Sequence, residues 1–195
     1  MKTKLARWIS VLTVVPLIAF FILTALFFLK ADVFNGSFSW YMFSLCFLTF
    51  IPVSAYVLKK VLPGFKEKGR EGERKLAFIM GVLGYVLGTI FSFIFSAPAG
   101  VRGIFLAYLF SGVILSFVNA VVDHKGSGHA CGVSGPLTIL VYFLGLRLCY
   151  TFLILPVVFW SRLQLGRHKT GELFSGTAIG ILATLLALTL NTRLF

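Results

Sequence analysis

The stretch ACGVSGPLTILVYFLGLRLCYTFLILPVVFW, residues 130–160, decides how this chain folds. It is apolar almost throughout, too long for one ordinary membrane span of about 20 residues and short for two. Gly145-Leu146-Arg147 interrupts it in the middle. The reading is a tight hairpin of two short helices that returns the chain to the side it left. That hairpin brings His129, just before the stretch, and Arg162, just after it, to one membrane face. A single long tilted helix would put them on opposite faces.

Outward from the hairpin, composition sets the class. Of the 195 residues 58% are hydrophobic and 12% charged, which leaves too little polar surface for a soluble domain. Repeated apolar runs fit helices crossing roughly 30 Å of hydrocarbon, and the alternating pattern of a membrane barrel is absent. The expected fold is all-α, a polytopic integral membrane bundle of six to seven transmembrane helices. The net charge of +12 alone would suggest a nucleic-acid binder, which the hydropathy excludes.

Trp8 to Leu29, behind Lys2, Lys4 and Arg7, is too long for a signal peptide and reads as a retained first helix. A second helix runs from Phe38 to Leu58 after the Asn35-Gly36-Ser37 turn. Lys59 to Lys75 is the long polar stretch, a solvated loop or a helix lying on the headgroups. Leu76 to Ser96 and Gly103 to Val122 are further helices, broken apart at Ala97-Pro98-Ala99-Gly100, and the last spans Gly171 to Leu190. Gly84 and Gly88, like Gly176 and Gly180, have the small-residue spacing of close helix contacts, expected within the subunit. Cys46, Cys131 and Cys149 lack metal-ligand spacing and read as packing residues.

With seven crossings, the N-terminus, the basic stretch, the Lys125 patch and the Arg162 to Lys169 segment share one side. That side carries 14 of the 18 Lys and Arg residues, the exceptions being Lys30, Arg102, Arg147 and Arg193. The positive-inside rule puts the clustered side in the cytoplasm. Residues 1–195 form one membrane-embedded domain, with candidate active-site elements at 66–75, 123–135 and 160–172.

Ionisable groups beside hydrocarbon are functional candidates by default. Ser127-Gly128-His129 in the first cluster, and Ser161-Arg162 followed by His168 and Glu172 in the second, resemble the second and third motifs of the type 2 phosphatidic acid phosphatase superfamily. These are membrane lipid phosphatases related in fold to vanadium haloperoxidases. Their third motif reads Ser-Arg, five residues, His, three residues, Asp, and Glu172 stands here in place of the Asp. The first motif, Lys, six residues, Arg-Pro, does not occur. Gly69-Arg70-Glu71-Gly72-Glu73-Arg74 instead resembles the degenerate first motif of a prokaryotic branch whose second motif is Lys-x-Ser-x-His, matched by Lys125, Ser127 and His129.

The resemblance implies a metal-independent lipid phosphatase without a cofactor, acting on a lipid phosphomonoester or isoprenyl diphosphate held in the bilayer. His168 would attack phosphorus to form a phosphohistidine, Glu172 would orient it, and His129 would serve as general acid. Arg162, Lys125, Ser127, Gly128, Arg74 and Arg70 would bind the phosphate, whose charge in flight requires positioned cations and donors. Other roles stay open at several positions. Glu172 also suits the positive end of a helix, Arg70 and Arg74 a solvated basic face, and His124 and Arg167 an interfacial and a topological role. The rival functions are a phosphoryl transferase using the same site and a non-enzymatic transporter or lipid-binding protein. The sequence leaves the oligomeric state open.

Overall fold

The computed structural model describes residues 2–121 and 125–194, with the Arg70 side chain outside the description. His124 and Asp123, part of the polar patch, also fall outside it. All described regular structure is helical. In chain order the helices are α1 (Lys2–Leu12), α2 (Val15–Leu29), α3 (Phe38–Leu45), α4 (Ile51–Val61), α5 (Pro63–Lys66), α6 (Gly69–Ile94), α7 (Ala99–Val121), α8 (Gly128–Leu144), α9 (Ile154–Gln164) and α10 (Thr170–Leu194). A π-helical turn, Cys46–Phe50, joins α3 to α4, and a 3-10 segment, Leu146–Leu153, leads into α9.

Among the described residues five helices are long and apolar enough to cross a membrane, and six if the bent α1–α2 pair is one span. The expected seventh crossing is α8, whose 17 residues fall short of a full span of about 20. Phe21, Phe28, Phe78, Phe117 and Leu182 are among many large apolar side chains left on the outside, as a bundle solvated by lipid requires. Inside, Leu23, Leu26, Phe34, Leu48, Ile104, Phe105, Val133, Ile139 and Leu188 form the core.

The hairpin forms as read. Ser127 caps α8 by accepting from the Ala130 N–H at 3.3 Å, and Gly145 ends the helix at φ +99°, a conformation costly to residues with a Cβ. Glycine spacing also acts inside the chain. A Cβ at Gly176 would strike the Ser127 carbonyl, one at Gly180 would strike Ser134 and Cys131, and one at Gly84 would strike the Phe47 carbonyl. These contacts bring α10 against α8 and α6 against the π turn.

Two expectations are corrected. The first helix is not continuous from Trp8 to Leu29: α1 and α2 meet at 55° across Thr13 and Val14. Pro16 lacks an N–H and its ring clashes with the carbonyl four residues back, so the helix breaks there. The Lys59 to Lys75 stretch is not a separate loop. Its first residues extend α4, its last extend α6 outward, and Lys59 donates to Glu73 at 2.7 Å to tie the two helices.

The bundle has two distinct ends. At one, Asn191 donates to the Ala99 carbonyl at 2.9 Å and Gly100 lies against Val33. At the other, α1, the start of α8, the end of α9 and the start of α10 converge, and the candidate residues are gathered there.

Candidate active site

His168 sits in the short connection between α9 and α10, and its Nδ1 lies 2.6 Å from Oε2 of Glu172, in the first turn of α10. A carboxylate can only accept, so Nδ1 carries the proton and Nε2 presents a bare lone pair. Burial pushes the His168 pKa below its ordinary value; the Glu172 hydrogen bond opposes that, and Arg162 adds to the lowering. The net result is a neutral imidazole near pH 7, the form that a nucleophile needs.

His129 stands at the second position of α8. Thr13 Oγ1 donates to the Ile9 carbonyl at 2.8 Å, and with that proton committed it accepts from His129 Nε2 at 3.1 Å. Nδ1 is then the nitrogen that exchanges a proton. Arg162, His168 and Arg167 all lie within electrostatic range of this ring. The hairpin thus delivers what the sequence required of it, both histidines and Arg162 at one end.

Ser161 is fully buried and donates to the Ala6 carbonyl at 2.7 Å, which fixes the last turn of α9 against α1. Arg162 Nη1 donates to Ser10 Oγ at 2.8 Å. Arg167 Nη1 donates to the same oxygen at 2.9 Å. The chain reverses between the two arginines through Gly166 at φ +61°, with Gly166 N–H on the Leu163 carbonyl at 2.9 Å and Arg167 N–H on the Arg162 carbonyl at 3.0 Å. This is the Schellman pattern of a helix end, and it folds Arg167 back beside Arg162.

The other sequence candidates take varied places. Ser127 is fully buried, its hydroxyl is engaged as the cap of α8, and its N–H donates to the Glu172 carbonyl at 2.8 Å. It therefore joins the two motifs through the backbone. Gly128 and His129 supply the first N–H groups of α8, where a helix favours anions. Asn119 Oδ1 accepts from Gly126 N–H at 2.6 Å and shapes the approach to that turn. Lys125 is exposed beside it. Arg74, exposed on the outer turn of α6, is close enough for its charge to act on His168. Arg70 lies on the same extension, one turn earlier.

Sequence reading missed the contribution of α1. Ala6, Ser10 and Thr13 recur at helical spacing on one buried face and touch Ser161, both arginines and His129 respectively. Arg167, read as a topological charge, belongs to the cluster. The available signal was Pro16 together with polar residues three and four apart in an otherwise apolar run. No family model, curated protein or solved structure matches this chain in the comparisons.

Proposed function

We propose that this chain is a membrane lipid phosphatase that cleaves a lipid phosphomonoester or isoprenyl diphosphate through a phosphohistidine on His168. The observation that carries the reading is the short His168–Glu172 bond set beside Arg162, Arg167 and His129 at one end of the bundle.

In the first step His168 Nε2 attacks phosphorus and the bond from phosphorus to the leaving oxygen breaks. The departing oxygen takes a proton from Nδ1 of His129. The phosphate anion is the natural counter-charge for the protonated form of that ring. In the second step water attacks the phosphohistidine, His129 takes a proton from it, the P–N bond breaks and inorganic phosphate leaves. The guanidinium groups stabilise charge on the equatorial oxygens throughout, so the reading includes independence from added metal. The lipid tail stays in hydrocarbon while the headgroup enters the cationic end. That end carries most of the Lys and Arg residues, which supports placing it on the cytoplasmic side of the cell membrane.

The test is phosphate release by purified protein from a panel of lipid monophosphates and diphosphates with EDTA present. Wild type should release phosphate, and His168→Ala and His129→Ala should abolish or nearly abolish it. Folded wild type that releases none from any lipid would refute the hydrolase reading. Trapping of phosphate on His168 without release would move it to a phosphoryl transferase.

A further inference from the structure

We propose that an apolar groove along α9 holds the hydrocarbon chain of a lipid phosphate; that this lipid is the substrate rests on the function proposed above. Two hollows lie in file on the flank where α1 packs on α9 and α2 on α8. The walls of the outer one, about 440 Å³, are Leu5 and Ile9 of α1 with Pro156, Val157 and Trp160 of α9. The walls of the inner one, about 400 Å³, include Ile18 and Ile22 of α2, Leu137 and Leu140 of α8, and Ile154 at the start of α9. Both have the size of ligand pockets, about 300–1,000 Å³. Ile154 and Trp160 are separated by about 9 Å of helix at 1.5 Å per residue, so the hollows follow one another along α9. The facing wall keeps the same order, with Ile9 at the outer hollow and Ile18 at the inner.

The outer hollow adjoins the candidate site on both walls. Leu5 precedes Ala6, whose carbonyl accepts from Ser161, and Trp160 precedes that serine. Ile9 precedes Ser10, the acceptor for Arg162. Charge then selects the occupant. No Asp or Glu occurs in residues 1–31 or 124–171, so the charged residues on the helices that form the groove are all basic. Lys4 and Arg7 are exposed on either side of Leu5, and Lys169 is exposed beyond the end of α9. An apolar groove that leads to a basic end is complementary to one kind of molecule, an anionic headgroup on a hydrocarbon chain. Inside a bilayer the chain exchanges one hydrocarbon surrounding for another, so the groove gains little from excluding water. Its contribution is placement: a chain lying along α9 delivers its headgroup to the helix end where Ser161 and Arg162 stand. Because the hollows lie in file, the groove takes one chain, and the second chain of a two-tailed lipid stays in the bilayer.

The test uses the full chain in phosphatidylcholine nanodiscs. A lipid monophosphate with a diazirine in mid-chain is photolysed there, and the labelled residues are mapped by mass spectrometry. A phosphatidylcholine with the same labelled chain reports ordinary surrounding lipid. The lipid phosphate should label Leu5, Ile154, Val157 and Trp160 and be displaced by its unlabelled form, whereas the phosphatidylcholine label should spread over the outside of the bundle. Val157→Trp fills the outer hollow and should remove the groove labelling. It should also lower kcat/KM for a long-chain lipid phosphate by about 10- to 100-fold, the cost of a misplaced reactant, while turnover of a soluble short-chain phosphate ester stays within about 2-fold. Thermal unfolding checks that the variant is folded.

If wild type turns over lipid phosphate, and folded Val157→Trp keeps both the labelling and kcat/KM, the groove assignment is wrong and the phosphatase reading stands. Equal labelling of the groove by both probes overturns the assignment in favour of ordinary boundary lipid, and crosslinks there between two copies of the chain overturn it in favour of a self-interface. Labelling selective for the lipid phosphate and lost in Val157→Trp, with no turnover by wild type, upholds the groove and removes the phosphatase reading. Absence of both selective labelling and turnover overturns both. Should Val157→Trp fail to fold, Leu5→Trp on the facing wall decides by the same readouts.

Discussion

Replacing Glu172 by Ala separates two physical roles for one carboxylate. The 2.6 Å bond to His168 Nδ1 lies between side chains that are 14% and 20% exposed, shielded enough for a charge-assisted bond to keep most of its strength. Hydrogen bonds to charged groups contribute about 1.5–3 kcal/mol, so losing this one from the reacting state should lower kcat by about 10- to 150-fold. The direction of the pH effect follows from the same bond. Attack needs neutral His168, so activity rises as pH passes upward through its pKa. Glu172 raises that pKa against burial and Arg162, so its removal moves the acidic limb of the kcat profile to lower pH. The assay is phosphate release from pH 4 to 8, with circular dichroism as a control for folding. A carboxylate that merely favours the positive end of α10 predicts something else, a stability loss of about 0.3–1 kcal/mol without any change in the profile. Unchanged kcat and an unmoved acidic limb in folded Glu172→Ala would refute the orienting role.

Further outcomes follow from the same geometry. Thr13→Val takes away the acceptor for His129 Nε2 and should cost about 0.5–1.5 kcal/mol of transition-state stabilisation, a loss of roughly 2- to 12-fold in kcat; an unaltered rate would mean that α1 does not hold the ring. Gly180→Val places a Cβ 2.6 Å from the Cys131 carbonyl oxygen, and the forced separation of α10 from α8 should destabilise by about 1–3 kcal/mol, read as a lower unfolding midpoint. In a cysteine-free background, single cysteines at Lys2, Lys60 and Lys169 should all react with an impermeant maleimide from one side of sealed vesicles, and a cysteine at Arg193 from the other. Labelling of Lys2 and Lys169 from opposite sides would break the shared face of the site.

The features legible in the sequence were those with a local cause. Gly145 interrupts an apolar run and ends α8 at positive φ; Gly176 and Gly180 stand one turn apart and meet the backbone of α8. Ser161, Arg162, His168 and Glu172 likewise fall within one helix end and the next helix start, so their proximity has a local cause. The α1 face was harder to see because Ser10 and Thr13 look like ordinary tolerated polar residues within a membrane helix, and only their partners more than a hundred positions away give them meaning. The place of Arg167 was hidden for a related reason: a cation next to a membrane edge satisfies the positive-inside rule whether or not it folds back beside Arg162. The π turn at Cys46–Phe50 also escaped, although Pro52, unable to donate to Leu48, is a sufficient local reason for the wider turn.

The 55° bend at Thr13 and Val14 makes α1 answer to two surroundings at once. Ala6, Ser10 and Thr13 face Ser161, the two arginines and His129, while Leu5, Trp8, Val11 and Leu12 stay exposed. Whatever amphiphile packs on that outer side therefore presses indirectly on Arg162, Arg167 and His129. On the proposed function, turnover should vary with the thickness and headgroup packing of the surrounding bilayer, and a short-chain detergent that supports Trp8 poorly should loosen this end of the bundle while leaving its core intact.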